Sequence, residues 1–266
     1  MNNKKAVFFD IDGTLVDFFA EIKEIRQSVK SAIKNLQAEG HYVFVATGRP
    51  YAFLNDEILN FGFDGYVLAN GALVIINDKV LYSDHMDNKV VKSLVEEFEK
   101  NNIQYVLETS KYTYLKDEFE EYNKFYDIAE INRELIKSQY DINELKVQKV
   151  EVLCPTEEAA RKCISLVEKN EEYGYFNSIS DNSYEIYLKR NTKAHGIMKV
   201  LGILNIPIEN SYAFGDGVND IEMLSTVGCG IAMGNASEEV KRYAHKVTES
   251  VHNDGVALGI KEYIYC

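Results

Sequence analysis

Short apolar runs that end in carboxylates or small polar residues punctuate the chain. The first, Ala6-Val7-Phe8-Phe9, leads into Asp10-Ile11-Asp12-Gly13-Thr14. An unbroken apolar stretch of that length predicts a strand buried on both faces, as in a parallel sheet. Downstream the period changes: Ile22, Ile25, Val29, Ile33 and Leu36 recur at helical spacing, predicting a helix over about residues 21–39 that Gly40 closes. Residues 42–46 predict a second strand, Pro50 opens a second helix that Gly62 ends, and residues 66–69 predict a third strand. Asn70-Gly71 predicts a hairpin turn into the apolar run 73–76. Strand and helix alternating in this order imply a parallel sheet with right-handed crossovers.

From Ser83 to Lys189 the texture shifts. Helical patterns over 88–101 and 156–173 interleave with segments that resemble antiparallel strands. Residues 104–106 and 112–115 flank the turn Thr109-Ser110-Lys111, residues 147–153 form another strand, and 175–188 predict a hairpin turning at Asp181-Asn182. Many of the 18 tyrosines fall here, among them Tyr105, Tyr112, Tyr114, Tyr126, Tyr184 and Tyr187, and they are read as core and rim. After Lys193 the α/β alternation resumes, with a helix over 193–204, a strand over 211–214, a helix over 221–227, a strand over 230–233 and a helix starting near Ser237. The expected architecture is therefore α/β: a Rossmann-like parallel-sheet core, residues 1–82 and 190–266, interrupted by an inserted α+β cap domain, residues 83–189.

Composition narrows the function. Hydrophobic residues at 46% and charged residues at 27% suit a globular chain with a sizeable core. A net charge of −13 argues against nucleic acid as partner, since duplex binding needs a basic footprint. It also means that an anionic substrate must meet a local positive site, a divalent metal included. The four cysteines show no metal-ligand spacing, and reduced, mostly buried thiols are expected. No apolar stretch approaches the ~18 residues of a membrane span. Met1-Asn2-Asn3-Lys4-Lys5 leads straight into the first strand without an apolar leader, so a cytoplasmic location is expected.

Four segments carry chemistry. Asp10 and Asp12, two positions apart on extended chain, project to one side where a strand of an open α/β sheet ends and such folds bind ligands. Paired carboxylates repel unless a cation joins them or one is protonated, and either remedy serves phosphoryl transfer; a polar turn or a calcium loop would use the same residues. Thr47-Gly48-Arg49-Pro50 offers a hydroxyl and backbone N–H groups at a helix start, an anion site or an ordinary turn. Gly215-Asp216-Gly217-Val218-Asn219-Asp220 again joins a strand to a helix, and Asp216 could join Asp10 on a hard cation such as magnesium. Asn219 and Asp220 also suit helix capping. Lys193 stands in a first helical turn, where a cation is disfavoured unless a phosphate is bound. Gly228-Cys229-Gly230 precedes rather than follows its strand, so a dinucleotide loop is rejected, and the five histidines are scattered without ligand spacing.

Assembled, these segments resemble the haloacid dehalogenase-like hydrolase superfamily, specifically the Cof-type (subfamily IIB) phosphatases. Further matches are Ala69-Asn70-Gly71-Ala72, Ile231-Ala232-Met233-Gly234-Asn235-Ala236 and Asn253-Asp254-Gly255-Val256-Ala257. The resemblance implies that Asp10 is a nucleophile forming an aspartyl-phosphate and that Asp12 is general acid, then base. It implies Mg2+ held by Asp10, Asp216 and Asp12, the last through its main-chain carbonyl. It further implies phosphoryl oxygens held by Thr47, the Gly48 and Ile11 amides, Lys193 and Asn219, with Asp220 orienting Lys193. The expected activity is hydrolysis of a small phosphorylated metabolite, such as a sugar phosphate or phosphorylated cofactor, by a monomer or small homo-oligomer. Phosphotransfer to another acceptor, as in phosphomutases, and non-catalytic binding of a phospholigand are the alternatives. Arg190-Asn191 replaces a Gly-Val pair frequent in the family, leaving Arg190 either exposed or a positive charge near the hinge, and the role of Arg49 open.

Overall fold

The apolar run 6–9 is a strand with every residue buried, β1 (Ala6–Phe9). The computed structural model describes residues 4–17, 22–129, 131–178 and 182–265. The helix after β1 starts later than its period suggests, at α1 (Gln27–Ala38), and the predicted start at Glu21 lies outside the described residues. Ile22 does not begin a helix because its N–H and carbonyl pair with those of Asp17, both at 2.9 Å, in a small antiparallel bridge. Val29, Ile33 and Leu36 remain the buried face of α1. β2 (Tyr42–Ala46) follows, then a turn of 3-10 helix at Tyr51–Phe53 and the short α2 (Asp56–Asn60) where one longer helix was expected. Ala52 and Leu54 are buried and the Phe53 ring meets Tyr126 edge-on at 5.0 Å, so tertiary packing overrides the local helical preference.

β3 (Gly65–Leu68) and β4 (Leu73–Ile76) pair antiparallel with Leu68 opposite Leu73, and β5 (Lys79–Ser83) completes this edge. The β3–β4 connection therefore takes the four residues 69–72 rather than a two-residue Asn-Gly turn. Then come α3 (Asn88–Lys100), β6 (Gln104–Glu108), β7 (Thr113–Leu115), α4 (Glu120–Ile128), β8 (Ile136–Lys137), β9 (Lys149–Leu153), α5 (Glu157–Val167), β10 (Tyr173–Asn177) and β11 (Ser183–Leu188). Of the predicted hairpin turn at Asp181-Asn182, Asp181 lies outside the described residues, and β10 and β11 pair antiparallel as expected. The chain closes with α6 (Lys193–Leu204), β12 (Ser211–Gly215), α7 (Ile221–Thr226), β13 (Cys229–Ala232), α8 (Glu238–Lys241), β14 (Lys246–Val247) and α9 (Gly255–Gly259).

The strands form two sheets among the described residues, ordered β14-β13-β12-β1-β2-β3-β4-β5 and β10-β11-β9-β6-β7-β8. In the first, β1, β2, β3, β12, β13 and β14 run parallel, which makes the chain an α/β protein. Contacts divide the chain into two compact units, Met1–Gly48 with Asp56–Tyr82 and Thr192–Cys266, and Arg49–Asn55 with Ser83–Asn191. In the first unit, Phe8, Phe44, Val67, Val74, Ile197, Val200 and Met223 are buried together between sheet and helices.

In the second unit one face of the sheet, with Tyr105, Leu107, Val150 and Ile186, is buried in a common core with Val91 and Leu94 of α3 and Cys163 of α5. On the other face Lys149 is buried with its ammonium 2.8 Å from Glu185, 3.3 Å from Glu108 and 3.6 Å from Glu151. Tyr105, Tyr122, Tyr126, Tyr173 and Tyr184 are buried, as a core role for the tyrosines requires. Among the described residues no helix is long and apolar enough to cross a membrane.

Candidate active site

Parallel pairing sets the site. β1 lies between β2 and β12, with Phe9 opposite both Val45 and Phe214. Asp10 therefore leaves the sheet between the end of β2, which Thr47 follows, and the end of β12, which Asp216 follows. A ligand in an open α/β sheet sits outside these carboxyl ends of the strands. Asp10 is anchored by its backbone N–H donating to the Phe214 carbonyl at 3.0 Å, and the residue is 5% exposed.

Lys193 enters from the first turn of α6, whose N-cap Thr192 accepts a hydrogen bond from the His195 N–H at 3.1 Å. The lysine is 1% exposed, not a solvated helix-start cation. Its ammonium donates to Asp10 Oδ1 and to Asp220 Oδ1, each at 2.6 Å. The second Asp220 oxygen accepts the Asp216 N–H at 2.9 Å and the Gly217 N–H at 2.8 Å. Asp220 thus locks the lysine to the loop after β12 with both oxygens, and it is fully buried.

Asp216 is held by Thr14, whose hydroxyl donates to Oδ1 at 2.9 Å across 202 residues of chain. Gly13, at φ 82°, leaves the room Asp216 needs: a Cβ there would stand 2.1 Å from Asp216 Oδ2. Asn235 braces the same turn, its side-chain amide donating to the Gly13 carbonyl at 2.8 Å. Asp12 is exposed beside this group, and Ile11 is buried with its carbonyl accepting from Leu15 at 2.9 Å and Val16 at 3.0 Å.

Carboxylate oxygens of Asp10, Asp216 and Asp220 lie within 4.8 Å of one another. Three carboxylates against one ammonium leave the pocket short of positive charge. Burial, the largest influence, pushes the Asp10 carboxyl well above the usual range; Lys193 opposes the rise, while Asp220 and Asp12 add to it. Burial likewise lifts Asp216 to about 6 against the lowering effect of the Thr14 hydrogen bond. For Lys193 burial alone would favour the neutral amine, but Asp10 and Asp220 outweigh it and hold the ammonium above the ordinary lysine value. A divalent cation offsets the deficit of two charges, and hard carboxylate oxygens suit magnesium. Asp220 is already spent on Lys193 and two backbone N–H groups, so Asp10 and Asp216 are the side chains that fit a metal.

Thr47 is buried after β2, its N–H donating to the Val67 carbonyl at 2.9 Å. Gly48 packs against Asn70, whose Oδ1 would lie 3.0 Å from a Cβ at position 48. Asn219 is exposed, and its side-chain amide donates to Asn70 Oδ1 at 3.4 Å. Arg49 belongs instead to the second unit, where its guanidinium donates to the Phe53 carbonyl at 3.2 Å. Arg190 is half exposed and ion-paired, with Nε 2.7 Å and Nη2 3.0 Å from the Asp84 carboxylate. Thr14, Asn70 and Asn235 were within recognised segments without an assigned role; their partners lie up to 222 residues away, and no local pattern announces them.

An open parallel sheet with an aspartate pair, a buried lysine and a second aspartate loop at its carboxyl edge defines a phosphoryl-transfer class of site. The chain matches the haloacid dehalogenase-like hydrolase family over residues 7–260. It is 31% identical over 280 residues to YkrA of Bacillus subtilis, provisionally named a phosphatase, covering 98% of each chain. It is 30% identical over 277 residues to the Bacillus subtilis 5-amino-6-(5-phospho-D-ribitylamino)uracil phosphatase YitU, covering 97% of this chain and 96% of that one. Among solved structures, a subclass IIB sugar phosphatase, BT4131, superposes with TM-score 0.81 at 30% identity, covering 99% of this chain and all (100%) of that one. The protein therefore belongs to the haloacid dehalogenase-like hydrolases, as a phosphatase of the Cof type.

Proposed function

We propose that the protein is a magnesium-dependent phosphatase that hydrolyses a phosphomonoester of a small metabolite through an aspartyl-phosphate. The observation that carries this reading is the buried Lys193 ammonium held at 2.6 Å from both Asp10 and Asp220, next to Asp216. Lys193 engages Asp10 Oδ1, which leaves Oδ2 to attack phosphorus while the bond to the leaving oxygen breaks. Asp12, exposed beside these groups, is the general acid that protonates that oxygen and then the base that takes a proton from the water attacking the acyl-phosphate. Thr47, the Gly48 and Ile11 amides, Lys193 and Asn219 hold the phosphoryl oxygens, and fixed donors of this kind stabilise charge as it spreads in the transition state. Asp10, Asp216 and the Asp12 carbonyl would hold magnesium, which would supply positive charge that offsets the repulsion between Asp10 and the phosphoryl oxygens.

Two relatives, one named for a sugar phosphate activity and one for a phosphoribityl compound, support a substrate with a polyhydroxylated leaving group. The second unit, as an inserted cap, would select that group and exclude water during phosphoryl transfer. Phosphate release from a panel of phosphorylated sugars, sugar alcohols and cofactors, with magnesium and with chelator, tests the reading. Turnover that requires magnesium and disappears in Asp10→Asn is expected. Turnover that survives either the chelator or the substitution refutes the mechanism.

A further inference from the structure

The loop that joins β3 to β4 touches three of the four segments that the proposed function draws on and takes no part in the chemical steps. Ala69, Asn70 and Gly71 take φ of 49°, 51° and 92°, three successive left-handed residues. Glycine adopts this conformation freely and asparagine with little penalty, but alanine is strained in it. All three residues are buried. Strain retained in a buried turn requires surroundings that over-determine it, and such turns cluster at functional sites.

The surroundings are specific. The Asn70 N–H donates to the Thr47 carbonyl at 3.2 Å. The Asn70 carboxamide fills the space beside Gly48, and its Oδ1 accepts the Asn219 side-chain amide at 3.4 Å. One residue later, Gly71 lies so close to the start of α6 that a Cβ would stand 2.0 Å from the Thr192 carbonyl, next to Lys193. The turn is a keystone between the Thr47–Gly48 segment, the Lys193 helix and the Asn219 loop.

We propose that Asn70 is a positioning residue for phosphoryl transfer, its carboxamide orienting Asn219 at the phosphate pocket. This rests on the phosphatase reading above. An acceptor fixed at Oδ1 leaves one Asn219 amide hydrogen for a phosphoryl oxygen and restricts the side-chain rotation that exposed Asn219 would otherwise keep.

Asn70→Gly isolates the carboxamide, because glycine keeps the left-handed backbone at no steric cost. We expect Asn70→Gly to melt within a few degrees of wild type while kcat with p-nitrophenyl phosphate and affinity for inorganic phosphate, measured calorimetrically with magnesium, each fall about tenfold. Asn219→Ala should fall comparably. The double variant should be within about threefold of Asn219→Ala alone, since Asn70 acts through it. Wild-type kcat and phosphate affinity in Asn70→Gly overturn the proposal, and so do losses that multiply in the double variant. Wild-type protein that neither turns over substrate nor binds phosphate refutes the phosphatase reading itself and takes this inference with it.

Discussion

Replacing Lys193 with methionine keeps the length and apolar stem of the side chain and removes one charge from a buried group of one ammonium and two carboxylates. The ammonium lies 2.6 Å from each of two carboxylates, with Lys193 at 1% exposure, Asp220 at 0% and Asp10 at 5%. At an effective dielectric of about 20, a contact this short is worth roughly 6 kcal/mol before desolvation. Desolvating the ions consumes most of that gain, so the net worth of the intact group is small. Its loss is a different quantity, because Asp10 and Asp220 are then stranded together in the interior. Removal of one partner from a buried ion pair costs about 3–5 kcal/mol, and that is the expected deficit of Lys193→Met at pH 7 in chelator, read from urea unfolding. Two further results follow from the same charges. The deficit shrinks as pH falls, since Asp10, whose carboxyl burial already pushes up, takes up a proton that the unfolded chain would not yet bind. Under the proposed mechanism magnesium should recover part of the deficit by neutralising Asp10 and Asp216, yet turnover should stay about a hundredfold to a thousandfold down, because a proposed phosphoryl-oxygen donor is missing. A variant within about 1 kcal/mol of wild type at pH 7 in chelator refutes the argument that Lys193 neutralises buried carboxylates.

Gly13→Ala should weaken magnesium binding about tenfold or more and lower the melting temperature, since its Cβ would fall 2.1 Å from Asp216 Oδ2 on a backbone at φ 82°; unchanged affinity by calorimetric titration counts against Asp216 as a ligand. Magnesium must displace a proton from Asp216, whose carboxyl burial lifts to about 6. Affinity should therefore fall at least about tenfold per pH unit below 6, with Asp10, also raised by burial, steepening the fall, and a flat profile from pH 5 to 7 removes Asp216 from the metal site. In the second unit, Lys149→Met leaves Glu108 and Glu151, both pushed up by burial, without their cation. A loss of about 3–5 kcal/mol at pH 7, partly recovered near pH 5, is expected from denaturant unfolding.

Much of the site was legible because its chemistry follows directly on apolar runs. Asp10 ends β1, Thr47 follows β2 and Asp216 follows β12, so strand recognition and motif recognition support each other. What local pattern misrepresents is environment. Lys193 in a first helical turn reads as an electrostatically disfavoured cation until Asp10, 183 residues distant in sequence, and Asp220 are brought to it. The apolar period places the start of α1 too early because Ile22 bridges to Asp17 and leaves the helix, while Ile25 is buried without being helical. Asn70-Gly71 carries the signature of a two-residue hairpin, but its left-handed angles serve a four-residue loop seated against Thr47 and Thr192. For Lys193 and for the Asn70-Gly71 loop the overriding contacts are long-range, and for Ile22 the contact is a local bridge; composition and period have access to neither.

The order in which the strands pair also bears on how the protein forms. β1 is hydrogen-bonded on one side to β2, about forty residues on, and on the other to β12, where Ala6 faces Ser211. The second unit lies between those events in the chain, and all but Arg49–Asn55 of it is one continuous segment, Ser83–Asn191. A nascent or truncated chain lacking β12 exposes an unpaired edge of β1, the kind of edge that recruits other strands. Closing the central pairing brings together residues separated by about two hundred positions, a slow step in proteins dominated by non-local contacts. Asp10, Asp216 and Lys193 thus become neighbours only when the last third of the chain docks, so the site serves as a late reporter of complete folding.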